Sequence, residues 1–396
     1  MRFLHICSVF PPAFTYGGLP QTAFGLAAGL KQQGHENLVL TTDADGRRRL
    51  PVPSDCLTEV KGLEVIYARR WWHNPYFYSP SLSRHIKQRA ANFDIALVRG
   101  NWDYTNWTAR RHLTEMGIPY LLYPEGIFEP WSLKRRRLKK MVYWRLIEKS
   151  NYAHASGVVA LTREESRQVK IFVKSAQVEV IPNGIDLETY HPNMNGNFSD
   201  MEFPGLGRRK FILFLSRLHV KKGLDILIPA FGKFLNYLTN TDNAPVLVVA
   251  GTGADSYVQK LKQIAEAAGV GSQIFFPGLV SGMNKLSLLQ NCSLMVLPSR
   301  SEGLPVAPLE AMACGKPVIA TRNCNLPEIE EAEAGLLVDF SQEALAQAMW
   351  KLWLNENQRR IMGERAVNLI KAKFTWPRVA EQTVAFCRRI IDEHRG

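Results

Sequence analysis

Residues 294–321 constrain the fold more than any other stretch. Leu294 to Leu297 is an apolar run of strand length, and a polar loop follows it. The spacing then predicts a short helix starting near Pro308, since a proline suits a first helical turn, where its missing amide has no partner to lose. Val306, Leu309, Met312 and Ala313 give that helix an apolar face, Gly315 ends it, and Pro317 leads into a second apolar run, Val318 to Ala320. Strand, loop, helix and strand in so few residues make a parallel-sheet unit. Its loop opens at the carboxyl end of a strand, where open α/β sheets bind ligands.

Two carboxylates bracket that loop, Glu302 before the helix and Glu310 inside it. Gly303 lets backbone approach a ligand closely, and beside Pro305 the amides of Leu304, Val306 and Ala307 would face it as donors near the helix start. The pattern suits a long ligand, rich in hydroxyls, with an anionic centre: a nucleotide sugar has that shape. Two solvated acids on a surface helix are the alternative, because exposed Glu is common.

Upstream, Phe211 to Leu215 reads as a strand, and Arg217 and Lys222 follow it before a helix that runs to about Tyr237. Two fixed cations there suit a leaving diphosphate, or are solvated. At the amino end, residues 2–9 and Asn37 to Thr42 read as strands around a helix preceded by Gly17 and Gly18. Such a glycine pair carries free amides to a phosphate or makes a plain turn. Asp43-Ala44-Asp45 has the look of paired metal carboxylates, but beside Gly46 it reads as a turn.

At 396 residues the chain is long enough for two domains, and 46% apolar with 21% charged residues places it among globular proteins. No apolar run approaches the ~18 residues of a membrane span. The first twelve residues are too soon broken by Pro11-Pro12 for a signal peptide, so a cytoplasmic location is expected. Six cysteines lie far apart without a C-x-x-C pair, so neither a zinc site nor a redox motif is indicated.

The formal net charge of +13 implies attraction to anions. It is concentrated in 133–146, where Leu138, Met141, Val142 and Leu146 recur at helical spacing among Lys and Arg. A basic amphipathic helix of this kind suits an anionic membrane surface, giving a peripheral protein, or packs on its own domain. No nucleic-acid-binding module is recognised, and no nucleic-acid partner is expected.

Ser301-Glu302-Gly303-Leu304-Pro305, followed by Leu309-Glu310-Ala311-Met312-Ala313-Cys314-Gly315-Lys316-Pro317, resembles the Glu-x7-Glu signature of the retaining GT-B-fold glycosyltransferases of family 4. Arg217-Leu218 with Lys222-Gly223, and Pro182-Asn183-Gly184-Ile185-Asp186 at the end of a first domain, are similar to that family as well. The resemblance implies two Rossmann-like doubly wound domains facing across a cleft, with a C-terminal helix crossing back to the first. The expected division is 1–190 as an acceptor-side domain, 191–209 as linker, 210–375 as the nucleotide-sugar domain, and 376–396 as the returning helix.

It further implies that Glu310 binds the ribose and that Glu302, with the Gly303 and Leu304 amides, binds the transferred sugar. Arg217 and Lys222 would hold the diphosphate as catalytic residues, Gly17 and Gly18 would face it, and Val280 would lie near the base. No metal or cofactor is implied beyond the donor itself. Relatives often carry a histidine at the place of Glu125, the acceptor-side candidate. The implied activity is retaining sugar transfer from a nucleoside-diphosphate sugar to a glycan or lipid-linked acceptor, in cell-surface polysaccharide or glycolipid synthesis. A non-catalytic nucleotide-sugar-binding protein and a GT-B phosphorylase or epimerase are the rival readings.

Overall fold

A computed structural model describes residues 1–71, 76–100, 102–134, 137–192, 209–238 and 244–395, with Phe203 and Leu206. The chain forms two compact units, Met1–Gly184 with Thr375–Gly396, and Ile185–Phe374. The linker expected over 191–209 lies mostly outside the described residues.

In the first unit the strands are β1 (Arg2–Cys7), β2 (Glu36–Thr42), β3 (Ala44–Asp45), β4 (Arg48–Arg49), β5 (Leu57–Val60), β6 (Leu63–Ala68), β7 (Ile95–Arg99), β8 (Tyr120–Tyr123), β9 (Gly157–Ala160) and β10 (Val178–Val180). Among the described residues, eight form one sheet in the order β10-β9-β8-β7-β1-β2-β6-β5. Pairing is parallel throughout except for β5 against β6. Without that hairpin the order from β6 is third, second, first, fourth, fifth, which is doubly wound. Its central strands are buried on both faces, which is why Ile95–Arg99 reads as an apolar run rather than an alternation.

The helices of this unit are α1 (Leu19–Gln32), α2 (Pro80–Arg89), α3 (Tyr104–Glu115), α4 (Pro130–Lys134), α5 (Arg137–Tyr143), α6 (Lys149–Ala153) and α7 (Arg163–Phe172), joined by the C-terminal helix Trp376–Arg395. Leu4, Ile6, Leu40, Leu82 and Leu113 fill one face of the sheet. Phe3, Leu26, Leu97, Val384, Phe386 and Ile390 fill the other, so the C-terminal helix returns to the first unit. Small residues make that return fit: a Cβ on Gly25 would stand 2.0 Å from Trp376 Cε2, and one on Gly184 2.6 Å from Trp376 Cδ2.

One expectation is refined here and one corrected. The basic stretch is helical wherever it is described, as α4 and then α5, and a π turn, Trp144–Glu148, carries α5 on into α6. A π turn takes an extra residue, which lets Trp144 point inward to Phe128, Tyr152 and Phe172 while Leu146 faces solvent. Arg135 and Arg136 lie outside the described residues. Asp43-Ala44-Asp45 is not a turn but the first arm of the β3-β4 hairpin, with buried Asp43 accepting from the Arg70 amide at 2.9 Å.

The second unit holds β11 (Phe211–Leu215), β12 (Val246–Ala250), β13 (Ile274–Gly278), β14 (Leu294–Leu297), β15 (Val318–Thr321) and β16 (Gly335–Val338). Its helices are α8 (Leu224–Asn236), α9 (Asp255–Ala267), α10 (Gly282–Asn291), α11 (Val306–Ala313), α12 (Glu328–Glu331), α13 (Gln342–Leu354) and α14 (Glu356–Lys373). The sheet order is β13-β12-β11-β14-β15-β16, all parallel, again third-second-first-fourth-fifth-sixth. Strand order reverses between β11 and β14, so the loops after those two strands border the ligand crevice expected of such a sheet. Helix α11 begins at Val306, earlier than Pro308, because any of its first four positions tolerates a missing amide.

Candidate functional site

The two loops at this switch point touch through their backbones. Gly223 has φ +73, and a Cβ there would stand 1.9 Å from the Pro298 carbonyl oxygen at the end of β14. Glycine after Lys222 is therefore a steric requirement. The contact sets Lys222 beside the loop that carries Glu302. Lys222 Nζ donates to Glu302 Oε1 at 2.6 Å, and Ser299 Oγ donates to the same oxygen at 2.5 Å.

The Glu302 backbone is fixed too: its amide donates to the Asn323 carbonyl at 3.0 Å, and Asn325 Nδ2 donates to its carbonyl at 2.6 Å. Among the described residues Oε2 of Glu302 takes no hydrogen bond, which leaves it open to a hydroxyl. Arg217, just past β11, is exposed and makes no ion pair among the described residues.

Glu310, one turn into α11, is buried and has a lysine of its own. Lys285 Nζ donates to Glu310 Oε1 at 2.6 Å and to Tyr190 Oη at 3.2 Å, and lies 5.4 Å from the centre of the Tyr190 ring. Burial and the neighbouring Glu310 push the Tyr190 hydroxyl well up from its ordinary value, so it stays a neutral donor. Neither Lys285 nor Tyr190 emerges from the sequence, where a lone lysine on a helix and a tyrosine before His-Pro carry no pattern. Gly303 is half-buried, Leu304 and Val280 are buried, and Pro305 occupies the cap position of α11 without a side-chain cap. The Val306 and Ala307 amides thus open on the loop.

The structure brings Lys222 to Glu302, and Lys285 with Tyr190 to Glu310. It does not join Arg217 to either carboxylate. In the first unit Gly17 has φ +74 and Gly18 stands exposed at the start of α1. Glu125, with φ +51, is half-buried against Arg99, whose Nη1 donates to Oε1 at 2.7 Å and whose guanidinium lies 4.1 Å from the Tyr123 ring centre. Burial pushes the Glu125 carboxyl up and Arg99 opposes it. Among the described residues no group of three or more His, Cys, Asp or Glu is arranged to hold a metal ion.

Residues 199–369 match the family described as glycosyl transferases group 1, and residues 16–189 match glycosyltransferase family 4. The chain belongs to this family. A GDP-mannose-dependent alpha-(1-6)-phosphatidylinositol monomannoside mannosyltransferase of Mycobacterium tuberculosis is 28% identical to this family 4 member, over 56% of the chain and 59% of that protein. The chain thus spans between half and three-fifths of the length of the mycobacterial and corynebacterial relatives it matches.

Two solved structures share the fold over nearly the full length of each chain. Sucrose-phosphate synthase from Thermosynechococcus elongatus has a TM-score of 0.80 at 18% identity, covering 99% of this chain and 100% of that one. Anabaena Alr3699/HepE in complex with UDP and glucose has a TM-score of 0.76 at 19% identity, covering 98% and 100%. The architecture is GT-B: two Rossmann-like units and a C-terminal helix that returns to the first.

Proposed function

We propose that this protein is a retaining glycosyltransferase that moves a sugar from a nucleoside-diphosphate sugar to a hydroxyl of a glycan or lipid-linked acceptor. The observation that carries this reading is the pair of lysine-bound carboxylates in the second unit, one at each end of the segment from Glu302 to Glu310. Glu310 takes the ribose hydroxyls, and Oε2 of Glu302 with the Gly303 and Leu304 amides takes those of the sugar. Lys222 has three donors and gives one to Glu302, so others are available to the diphosphate, together with Arg217, which makes no ion pair among the described residues. The uncapped start of α11 adds amide donors near the same anion. Val280 lines the base side, and Gly17, Gly18 and Glu125 remain proposed contacts to donor and acceptor.

The bond from the anomeric carbon to the diphosphate oxygen breaks as the bond to the acceptor oxygen forms on the same face. The departing phosphate oxygen takes the acceptor's proton, so no protein nucleophile is required. Catalysis then rests on positioning and on cations aimed at the charge that develops on the leaving group.

The relatives support this choice of substrates: the mycobacterial one uses GDP-mannose with a lipid acceptor, and HepE is seen with UDP and glucose. An anionic membrane surface is part of the same reading. Leu138 and Leu146 are 73% and 75% exposed, with Met141 and Val142 beside them and Arg137, Lys139 and Arg145 around. Exposed Ile171 and Phe172, with Lys170 and Lys174, extend the patch, because Phe172 packs on Trp144. Each basic residue near anionic headgroups contributes about 1 kcal/mol. Among the described residues no helix is long and apolar enough to cross a membrane.

The test is incubation with UDP-, GDP- and ADP-sugars together with polyprenyl-phosphate-linked and oligosaccharide acceptors. Acceptor-dependent release of nucleoside diphosphate, with a product of retained configuration, is expected. Turnover without an acceptor alcohol would contradict the transferase reading. Replacing Leu138, Lys139, Arg145 and Leu146 together should abolish sedimentation with phosphatidylglycerol vesicles; unchanged sedimentation removes the membrane surface.

A further inference from the structure

Lys222 is useful as a diphosphate ligand only if its turn is held still, and an unassigned residue holds it. The turn Val220–Lys222 is one short 3-10 segment between β11 and α8. Arg300, two residues before Glu302, grips it from the neighbouring loop. The Arg300 amide donates to the Lys221 carbonyl at 2.8 Å, and Nη1 donates to the Val220 carbonyl at 2.5 Å. The same guanidinium forks onto Asp225 in the first turn of α8, with Nη1 to Oδ1 at 2.8 Å and Nη2 to Oδ2 at 2.6 Å. Its other side lies over Phe340, 4.6 Å from the ring centre.

A planar fork that stacks on a ring and meets a carboxylate with two parallel bonds is fixed in direction as well as distance. Asp225 anchors the fork to the start of α8, just past Gly223, whose backbone contact with Pro298 is already at its limit. The turn is therefore pinned at Val220 and Lys221 by Arg300, and at its far end by Asp225 and Gly223. The guanidinium is committed to protein acceptors, unlike that of Arg217, which makes no ion pair among the described residues.

We propose that Arg300, locked to Asp225, is a positioning residue that holds Lys222 in register with Glu302 for the donor diphosphate. This rests on the donor-site reading above. Arg300 touches no substrate in it and acts through Lys222. Without the fork, the long lysine side chain must be ordered at the moment of binding, a cost now met on folding.

The experiment is calorimetric titration with UDP, GDP and ADP of the wild type, Arg300→Ala, Arg300→Lys, Asp225→Asn and Lys222→Ala, and of the pair Arg300→Ala with Lys222→Ala. For the diphosphate that wild type binds, Arg300→Ala and Asp225→Asn are each expected to weaken affinity about fivefold, a coupling usual within one hydrogen-bonded network. Arg300→Lys does not rescue, since a point charge cannot fork. In the Lys222→Ala background the loss from Arg300→Ala shrinks below about twofold, which a merely structural residue would not do. An equal loss in both backgrounds, or no loss where Lys222→Ala has one, overturns the positioning role. Binding of no diphosphate by wild type, or unchanged binding by Lys222→Ala, overturns the donor-site reading and this inference with it. Should Arg300→Ala fail to fold, as judged by circular dichroism, Asp225→Asn carries the same cycle.

Discussion

The two units of this protein share a doubly wound strand order but differ in what holds their buried carboxylates. In the second, Glu302 and Glu310 each meet a lysine at 2.6 Å and sit beside a loop lined with backbone amides. In the first, Glu148 and Glu165 are held by backbone amides and an asparagine, without a cation. Burial pushes both up to about 7. Two others do meet a cation there: Asp43 lies 3.7 Å from Arg49, and Glu125 lies 2.7 Å from Arg99, an arginine that is itself only 6% exposed. The difference lies in the cations: Lys222 and Lys285 are 14% and 25% exposed and can turn to a ligand at less cost than Arg99 can.

The largest effect expected to sharpen this contrast is on stability. Glu125→Ala leaves the Arg99 guanidinium buried without its carboxylate, and should cost about 3 kcal/mol or more in denaturant unfolding of the first unit. A value near zero would mean that Arg99 is not sealed in. Lys222→Ala should lower turnover by ~10²-fold or more, as removal of one charge-stabilising donor does. Wild-type turnover in that variant would exclude its role.

Lys285→Met is expected to raise the donor KM about tenfold with kcat little changed, since ribose contacts act equally in the ground and transition states. A fall in kcat at unchanged KM would move Lys285 from binding to chemistry. The smallest effect is that of Glu148→Gln. Between the usual carboxyl value of 4.5 and about 7, folded Glu148 keeps a proton that the unfolded chain has lost, so its ionisation removes stability as pH rises. The melting temperature of the variant minus that of wild type should therefore grow from about pH 5 to about pH 8. Buried His5, lowered to about 4, works the other way but is common to both proteins and cancels. A pH-independent difference would show that Glu148 is ionised throughout.

Much of this was legible before any coordinates. Parallel strands buried on both faces declare themselves as apolar runs, and the spacing of Glu302 and Glu310 around a glycine and a helix start marks the loop. Lys222-Gly223 is legible through its likeness to the family, while the steric reason for the glycine, the Pro298 contact, appears only in the fold. What stayed hidden are the partners. Lys285 reaches Glu310 across 25 positions, Tyr190 reaches Lys285 across 95, and Arg300 reaches Asp225 across 75. Such pairings come from sheet order, which places distant loops side by side and leaves no local periodicity. The π turn at Trp144–Glu148 was hidden for another reason: apolar spacing there is compatible with a regular α-helix, and the turn goes with Trp144 meeting Phe128, Tyr152 and Phe172.

The central claim, that Glu310 and its lysine form the nucleotide end of a donor site, is tested most directly by melting wild type and Glu310→Gln side by side with UDP-, GDP- and ADP-sugars. A ligand that binds only the folded protein raises its melting temperature. The expected result is a rise in wild type with one of the three and its loss in Glu310→Gln. Equal rises in both proteins, or none in wild type, would contradict the account.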